Sequence, residues 1–306
     1  DQANSEIYLS ANNSQGGSDI YRPSLDEPTV EALQDGALAD AAMVLACADA
    51  HCRLPVVSPR GDFLAFERTE KLGFPQVWLL PLKTQEADLE EAQVEPTFLA
   101  GDPEHQTLLP AWSGDGILAF YDTQAAGFVL YDHYSDESIL FPNQTGQTGA
   151  WRPQSQDFLA PEIFFLDTGS VTGLPGFANS QLILFNRLTK SMQDLTPSDD
   201  MEDSSPAFSP DGVYLAFARK YLNPQRWSPG RQLWVMMPET GQAQQITNDP
   251  DFTHYEFAWS PDSKQLSYVR FDQTIIRNPP EIWLLELIDV ERTRLVENGY
   301  WPQWIP

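Results

Sequence analysis

Histidines and cysteines, the side chains most often given to acid–base and metal chemistry beside carboxylates, are few in this sequence, and the histidines are scattered. The four histidines are His51, His105, His133 and His254. His105 stands in DPEHQ, Asp203 in MEDSS, and His254 in DFTHYEF beside Tyr255 and Glu256. A carboxylate with two histidines is a donor set that transition metals accept. Glu256, Asp203, His105 and His254 are therefore a candidate donor set for a cation, while the expected reading of the same residues is a solvated acidic rim without a metal. A second group is basic: Arg219, Lys220, Arg226 and Arg231 interrupt an acidic background around Trp227. Cations beside an indole suit an acidic peptide or a sugar acid, with Trp227 as a stacking platform. Local salt bridges to the surrounding Asp and Glu are the competing reading, each worth little. The chain contains no Gly-x-Ser-x-Gly elbow, no His-Glu-x-x-His helix motif and no Gly-Lys-Ser/Thr phosphate loop. Cys47 and Cys52, the only cysteines, lie five apart in ACADAHC, a spacing that fits a small disulfide or two thiols. With His51 between them they fall short of the four ligands of a structural zinc site.

The elements that must position these residues announce themselves by repetition. An apolar or aromatic residue, then Ser-Pro-Asp-Gly or a worn copy, then an apolar run recurs as VVSPRGDFLAF from Val56, AWSGDGILAF from Ala111, AFSPDGVYLAF from Ala207 and AWSPDSKQLSYV from Ala258. A weaker copy, AWRPQSQDFLA, starts at Ala150. Repeats of this length point to solenoids, propellers or arrays. The anchors Val57, Trp112, Trp151, Phe208, Trp259 and Trp304 are spaced by 55, 39, 57, 51 and 45 residues. The terminal WPQWIP lacks its continuation, and the opening DQANSEIYLS reads as that missing piece. Six units closed into a ring by strands from both termini are expected, because closure removes exposed sheet edges. The first unit takes about 300–306 plus 1–36. The others take about 53–99, 108–141, 148–196, 204–248 and 255–298. The alanine-rich ALADAAMVLACADA, residues 37–50, reads as a helical or irregular insertion.

Within a unit four short strands are expected. Pro fixes φ and Gly accepts positive φ in the Ser-Pro-Asp-Gly turn, so Asp211 and Asp262 are read as turn-makers. The count of 9 Trp, 10 Tyr and 17 Phe suits packed sheets. With 44 acidic against 18 basic residues the formal charge is −26, which repels nucleic acid and anionic membrane surfaces. No run of 18 apolar residues is present, and the polar start reads as a soluble or mature form.

The W-S-P-D-G phrase, followed by strands such as QVWLLPL, QLWVMMP and EIWLLEL, resembles the PD40 (WD40-like) repeat of TolB-like six-bladed β-propellers. The resemblance implies an all-β ring of four-stranded antiparallel blades. It does not imply one activity, since that family includes protein-binding modules, peptidase propellers and lyases.

On such a ring the connections between strands two and three, and those between blades, share one face; the Ser-Pro-Asp-Gly turns take the other. The longer loops at 71–76, 167–180, 220–231 and 272–280 lie on the first face, where function is expected. Strand alternation places Leu54, Leu109, Thr148, Ser205, Glu256 and Trp301 at the mouth of the central channel, with Glu256 the one ionisable member. The expected binding residues are Glu256, Trp301, Tyr300, Tyr255, His254, His105, Asp203, Arg53 and Trp227. The function expected is a non-catalytic, monomeric, extracytoplasmic binding or scaffold propeller that takes a protein segment, a small molecule or a glycan without a cofactor. The alternative is a metal-assisted lyase acting on uronate polysaccharides, which needs a cation and a base at the mouth.

Overall fold

The computed structural model describes residues 9–22, 42–82, 96–98, 105–165, 178–297 and 302. Two compact units divide the chain, Asp1–Pro142 and Asn143–Pro306. All regular structure among the described residues is β-strand, in five sheets.

In the first unit, one sheet holds β1 (Leu9–Asn12), β2 (Ser18–Arg22), β3 (Ala42–Leu45), β4 (His51–Val57), β5 (Phe63–Thr69), β6 (Pro75–Pro81) and β7 (Thr97–Phe98). A second antiparallel sheet holds β8 (Thr107–Trp112), β9 (Ile117–Asp122), β10 (Gly127–Asp132) and β11 (Glu137–Pro142). The two sheets of this unit share a core in which Ala65, Val77 and Leu79 meet Leu118 and Phe120.

The second unit is three four-stranded antiparallel blades. They are β12 (Ala150–Trp151), β13 (Asp157–Phe165), β14 (Ala178–Asn186) and β15 (Met192–Asp194); then β16 (Met201–Phe208), β17 (Leu215–Tyr221), β18 (Gln232–Met237) and β19 (Gln242–Gln245); then β20 (Phe252–Trp259), β21 (Gln265–Asp272), β22 (Glu281–Glu286) and β23 (Glu291–Glu297). Leu159, Leu182 and Leu184 pack on Phe208, Leu215 and Phe217 of the next blade. Leu233 and Val235 pack in turn on Trp259, Leu266 and Tyr268. Second strands carry buried apolar runs, residues 64–66 in β5 and 215–218 in β17.

Two local devices recur in the blades with the phrase, the first at Ser58, Ser113, Ser209 and Ser260 and the second at two anchors. In the turn, the serine hydroxyl donates to the aspartate two to four residues on and accepts from the first amide of strand two. Ser209 Oγ to Asp211 Oδ1 is 2.6 Å and Tyr214 N to Ser209 Oγ is 2.9 Å; Ser260 Oγ to Asp262 Oδ1 is 2.7 Å and Gln265 N to Ser260 Oγ is 2.9 Å. These aspartates close Asx- and ST-type turns. The anchor indoles form the second device by reaching back one blade: Trp112 Nε1 donates to Val56 O at 3.1 Å, and Trp259 Nε1 donates to Ala207 O at 3.0 Å.

Three expectations change. The described residues build five sheets where six blades were expected, because β2 pairs in parallel with β4 through Ser18 and His51. The β1–β2 hairpin thereby extends the next sheet. Asp19 Oδ1 accepts Cys47 N at 2.8 Å, Asn13 Nδ2 donates to Ala48 O at 2.7 Å, and Ser18 N donates to Ala50 O at 3.0 Å. Gly17 allows this approach: a Cβ there would lie 2.2 Å from Ala50 O. Pairing of the extreme termini lies outside the described residues. The second change is at 42–45, where β3 pairs antiparallel with β2 instead of forming a helix; sheet-edge hydrogen bonds outweigh the helix propensity of alanine. The third concerns the first strands. Four of them, β4, β8, β16 and β20, carry a β-bulge, between Arg53/Val56, Leu108/Ala111, Ser204/Ala207 and Tyr255/Ala258. The bulge residue is left-handed: Leu54 at φ 49°, Leu109 at 57°, Ser205 at 52° and Glu256 at 53°. One extra residue breaks strict alternation, so these positions no longer share a face with the residues two further on.

Candidate binding site

The nine expected binding residues meet different fates. Trp301 and Tyr300 lie outside the described residues. Asp203 and His254 are 0 % exposed. Asp203 receives a bidentate pair from Arg219, Nε to Oδ1 and Nη2 to Oδ2 both 2.7 Å, and Arg219 also stacks against Trp234. His254 Nδ1 sits 2.8 Å from Arg231 O, and Nε2 lies 3.7 Å from Asp249 Oδ2. Both are thus internal braces of their strands, which removes them from a solvent-facing rim. Glu256 and Tyr255 are half-buried around the β20 bulge. His105, in the first unit, places Nδ1 3.4 Å from Asp122 Oδ2. Arg53 is exposed on β4 opposite Glu67.

The donors proposed for a cation do not form a metal site. No group of three His, Cys, Asp or Glu side chains converges among the described residues. Asp203 is saturated by a guanidinium, and Asp249, the carboxylate nearest His254, is flanked by Arg270 at 3.7 Å and Arg292 at 3.3 Å. Contact with His254 pulls the Asp249 carboxyl down, burial pushes it up, and the two arginines leave it below the ordinary carboxylate range. A site already holding two guanidinium charges repels a metal ion.

Trp227 lies in a different setting. After β17 the chain runs through LNPQRWSPGR before β18 begins, and Asn223 caps the loop by accepting Gln225 N at 2.9 Å. Gly230 seats the loop's end against the next blade, since a Cβ there would fall 1.9 Å from Phe252 O. The loop, β17 and the Gln245–Pro250 segment enclose a cleft of about 310 Å³, at the small end of ligand-sized pockets. Trp227 is 55 % exposed at this cleft. Lys220 Nζ stands 4.7 Å from the Trp227 ring centroid, and the Arg226 guanidinium 3.4 Å from that of Tyr221. Arg219 and Arg231 are paired with Asp203 and Glu202. Lys220 and Arg226 form no ion pair among the described residues, in a chain of net charge −26. Burial pushes the Lys220 ammonium below its usual range, Glu202 pulls it up and Arg231 pushes it down further. Of the basic group singled out by composition, half braces the blade and half faces the cleft.

Sequence reasoning missed Glu67. It is a buried carboxylate directly after the apolar run at 63–66 and ahead of Arg68 and Thr69, and that contrast was the available signal. Glu67 Oε1 accepts the bulge amide of Leu109 from the next blade at 2.7 Å. Burial raises its pKa, with the Leu109 hydrogen bond and Arg53 pulling the other way. Of the two readings left open for Cys47 and Cys52, the disulfide is the one present, and both residues are buried.

No family model matches the chain, and no curated protein matches it. Solved structures do. The β-propeller domain of the Trilobed protease from Pyrococcus furiosus, described as having an open velcro topology, aligns with TM-score 0.63 and 12 % identity over 95 % of this chain and 79 % of that one. An oligogalacturonate lyase in complex with manganese aligns with TM-score 0.58 and 14 % identity over 95 % and 73 %. TolB from Acinetobacter baumannii aligns with TM-score 0.51 and 12 % identity over 95 % and 69 %. At these identities the likeness establishes the fold alone: the chain has a β-propeller fold built from four-stranded antiparallel blades, with TolB among the proteins it resembles.

Proposed function

We propose that this chain is a non-catalytic binding propeller that takes its ligand, a protein segment or a small molecule, at the loops joining strands two and three. The observation that carries this reading is the cleft beside Trp227. Two cations without carboxylate partners among the described residues flank an exposed indole. Partial burial of the charged Lys220 is costly, and an anionic ligand relieves that cost. Glu256 and Tyr255 at the bulge of β20 belong to the wider surface of the second unit in this proposal, and exposed Arg53 is proposed separately as a binding residue of the first unit. The bond between Cys47 and Cys52 supports an oxidising, extracytoplasmic setting. No helix among the described residues is long and apolar enough to cross a membrane. The net charge of −26 argues against nucleic acid as a partner, and the protein is proposed to act as a monomer without a cofactor.

The lyase reading draws on the fold likeness to an oligogalacturonate lyase in complex with manganese. Its donor set finds no counterpart among His105, Asp203, His254 and Glu256 as they stand here, so no catalytic step is derived. The binding reading is tested by affinity capture from an extract of the source organism, with wild type and a W227A/R226A double variant as baits. Loss of specific captured species in the variant supports it. An identical capture profile from both baits contradicts it.

A further inference from the structure

The Trp227 cleft is part of a wider surface within the second unit. The connection after β21, residues 273–280, carries Ile275 and Ile276, 53 % and 80 % exposed, next to Arg277. This loop and the Trp227 loop rest on one shared segment. Gln273 N donates to Asp251 O at 2.8 Å, while Gly230 N donates to Pro250 O at 2.9 Å. Two successive blades therefore present the same pairing, a large exposed apolar side chain flanked by basic ones, on either side of residues 249–253. Single exposed apolar side chains are ordinary on loops; it is their pairing with cations on two loops that share one anchoring segment that singles this surface out.

The charge pattern names the kind of partner. Around this surface Arg219, Arg231, Arg270 and Arg292 are each committed to a carboxylate. Lys220, Arg226 and Arg277 form no ion pair among the described residues, although acidic residues outnumber basic ones 44 to 18 in the sequence. Trp and Arg are the residue types most enriched at the energetic centres of protein interfaces. Arg in particular forms bidentate bonds with carboxylates. A net charge of −26 disfavours an acidic partner over the molecule as a whole, and these cations offset that locally, which favours the approach of such a partner here.

We propose that the face formed by loops 222–231 and 273–280 docks an extended acidic protein segment that carries apolar residues. Trp227, Ile275 and Ile276 receive its apolar side chains, and Lys220, Arg226 and Arg277 pair with its carboxylates. The inference rests on the binding reading above and narrows it from any ligand to one class.

The test is an unbiased selection. A random displayed dodecapeptide library is panned against the full chain, and enriched sequences are remade as fluorescent peptides for anisotropy titration. The expected result is enrichment of sequences that combine Asp or Glu with Leu, Ile, Phe or Trp. Their affinity falls at least about tenfold in W227A and in an R226E/R277E variant, and weakens as salt rises from 0.05 to 0.5 M, values chosen as roughly a decade in ionic strength. Circular dichroism melts of the same variants show whether they remain folded; both substitutions are at exposed positions. Enrichment of basic or uncharged sequences, or no enrichment at all, overturns the proposal. So does unchanged affinity in both folded variants. A hexuronic acid trisaccharide and phosphatidylglycerol vesicles are titrated in parallel. Binding of either that depends on Trp227, without peptide enrichment, overturns the acidic-segment assignment and leaves the binding reading standing. Absence of every interaction, with identical capture profiles, brings down both.

Discussion

Glu67, Asp203 and Asp249 are three carboxylates whose surroundings give them three different duties. Glu67 is charged at a cost and repays part of it by accepting Leu109 N. Its raised pKa means that the folded state holds a proton more readily than the unfolded one, so the penalty is present above that pKa and is relieved as pH falls. Glu67→Gln, which keeps an acceptor, is expected to be neutral or stabilising at pH 7. Glu67→Leu strands the Leu109 amide and loses about 1–3 kcal/mol, measurable by urea denaturation. Asp203→Ala leaves Arg219 buried without its partner and is expected to cost about 3–5 kcal/mol. Asp249 has the opposite sign to Glu67. Its depressed pKa adds stability above the ordinary value of 3.8 that is lost as pH falls through the folded value. Asp249→Asn should therefore destabilise clearly at pH 7 and progressively less under acid conditions; a gap that widens on acidification contradicts the assignment. At this scale the sequence exposed which residues are chemically unusual. It did not expose whether they face solvent, because Asp203 and His254 lie in strands whose burial depends on the neighbouring blade.

Strands and turns were the more legible level. The serine and aspartate of each phrase form the hydrogen bonds that a tight turn needs, and the anchor indoles of Trp112 and Trp259 hold successive first strands together. Trp259→Phe removes the bond to Ala207 O and is expected to cost at least about 1 kcal/mol, seen as a lower melting temperature. The bulges were illegible, because left-handed Leu, Ser and Glu carry no glycine signal. Ser205 offers the cleanest test of their backbone. Ser205→Gly should stay within about 0.5 kcal/mol of wild type, relief of left-handed strain offsetting glycine's entropy, while Ser205→Val should cost about 1–2 kcal/mol. Equal stability of the two variants argues against a left-handed residue there. The β3 segment was misread for a physical reason as well: AMVL next to alanines satisfies helix propensity, but its partner is a strand 20 residues upstream by chain order, which local pattern does not reveal.

At the scale of the molecule, repetition in the sequence announced the β-propeller class, while the number of sheets depended on one parallel pairing between Ser18 and His51 that no periodicity encodes. The Cys47–Cys52 bond fixes the turn onto which the first hairpin docks. Its short loop gives an expected loss of about 2 kcal/mol when both cysteines become serine, checked by denaturation of the double variant. Charge is distributed on the same scale: a strongly acidic chain holds Lys220, Arg226 and Arg277 without ion pairs among the described residues, close in sequence to exposed Trp227 and Ile276. That distribution is the basis for reading the protein as a binder of acidic segments. The most direct measurement is anisotropy titration of a selected acidic-apolar peptide against wild type and the folded R226E/R277E variant. The account predicts saturable binding to wild type and a loss of at least about tenfold in the variant; equal binding to both proteins contradicts it.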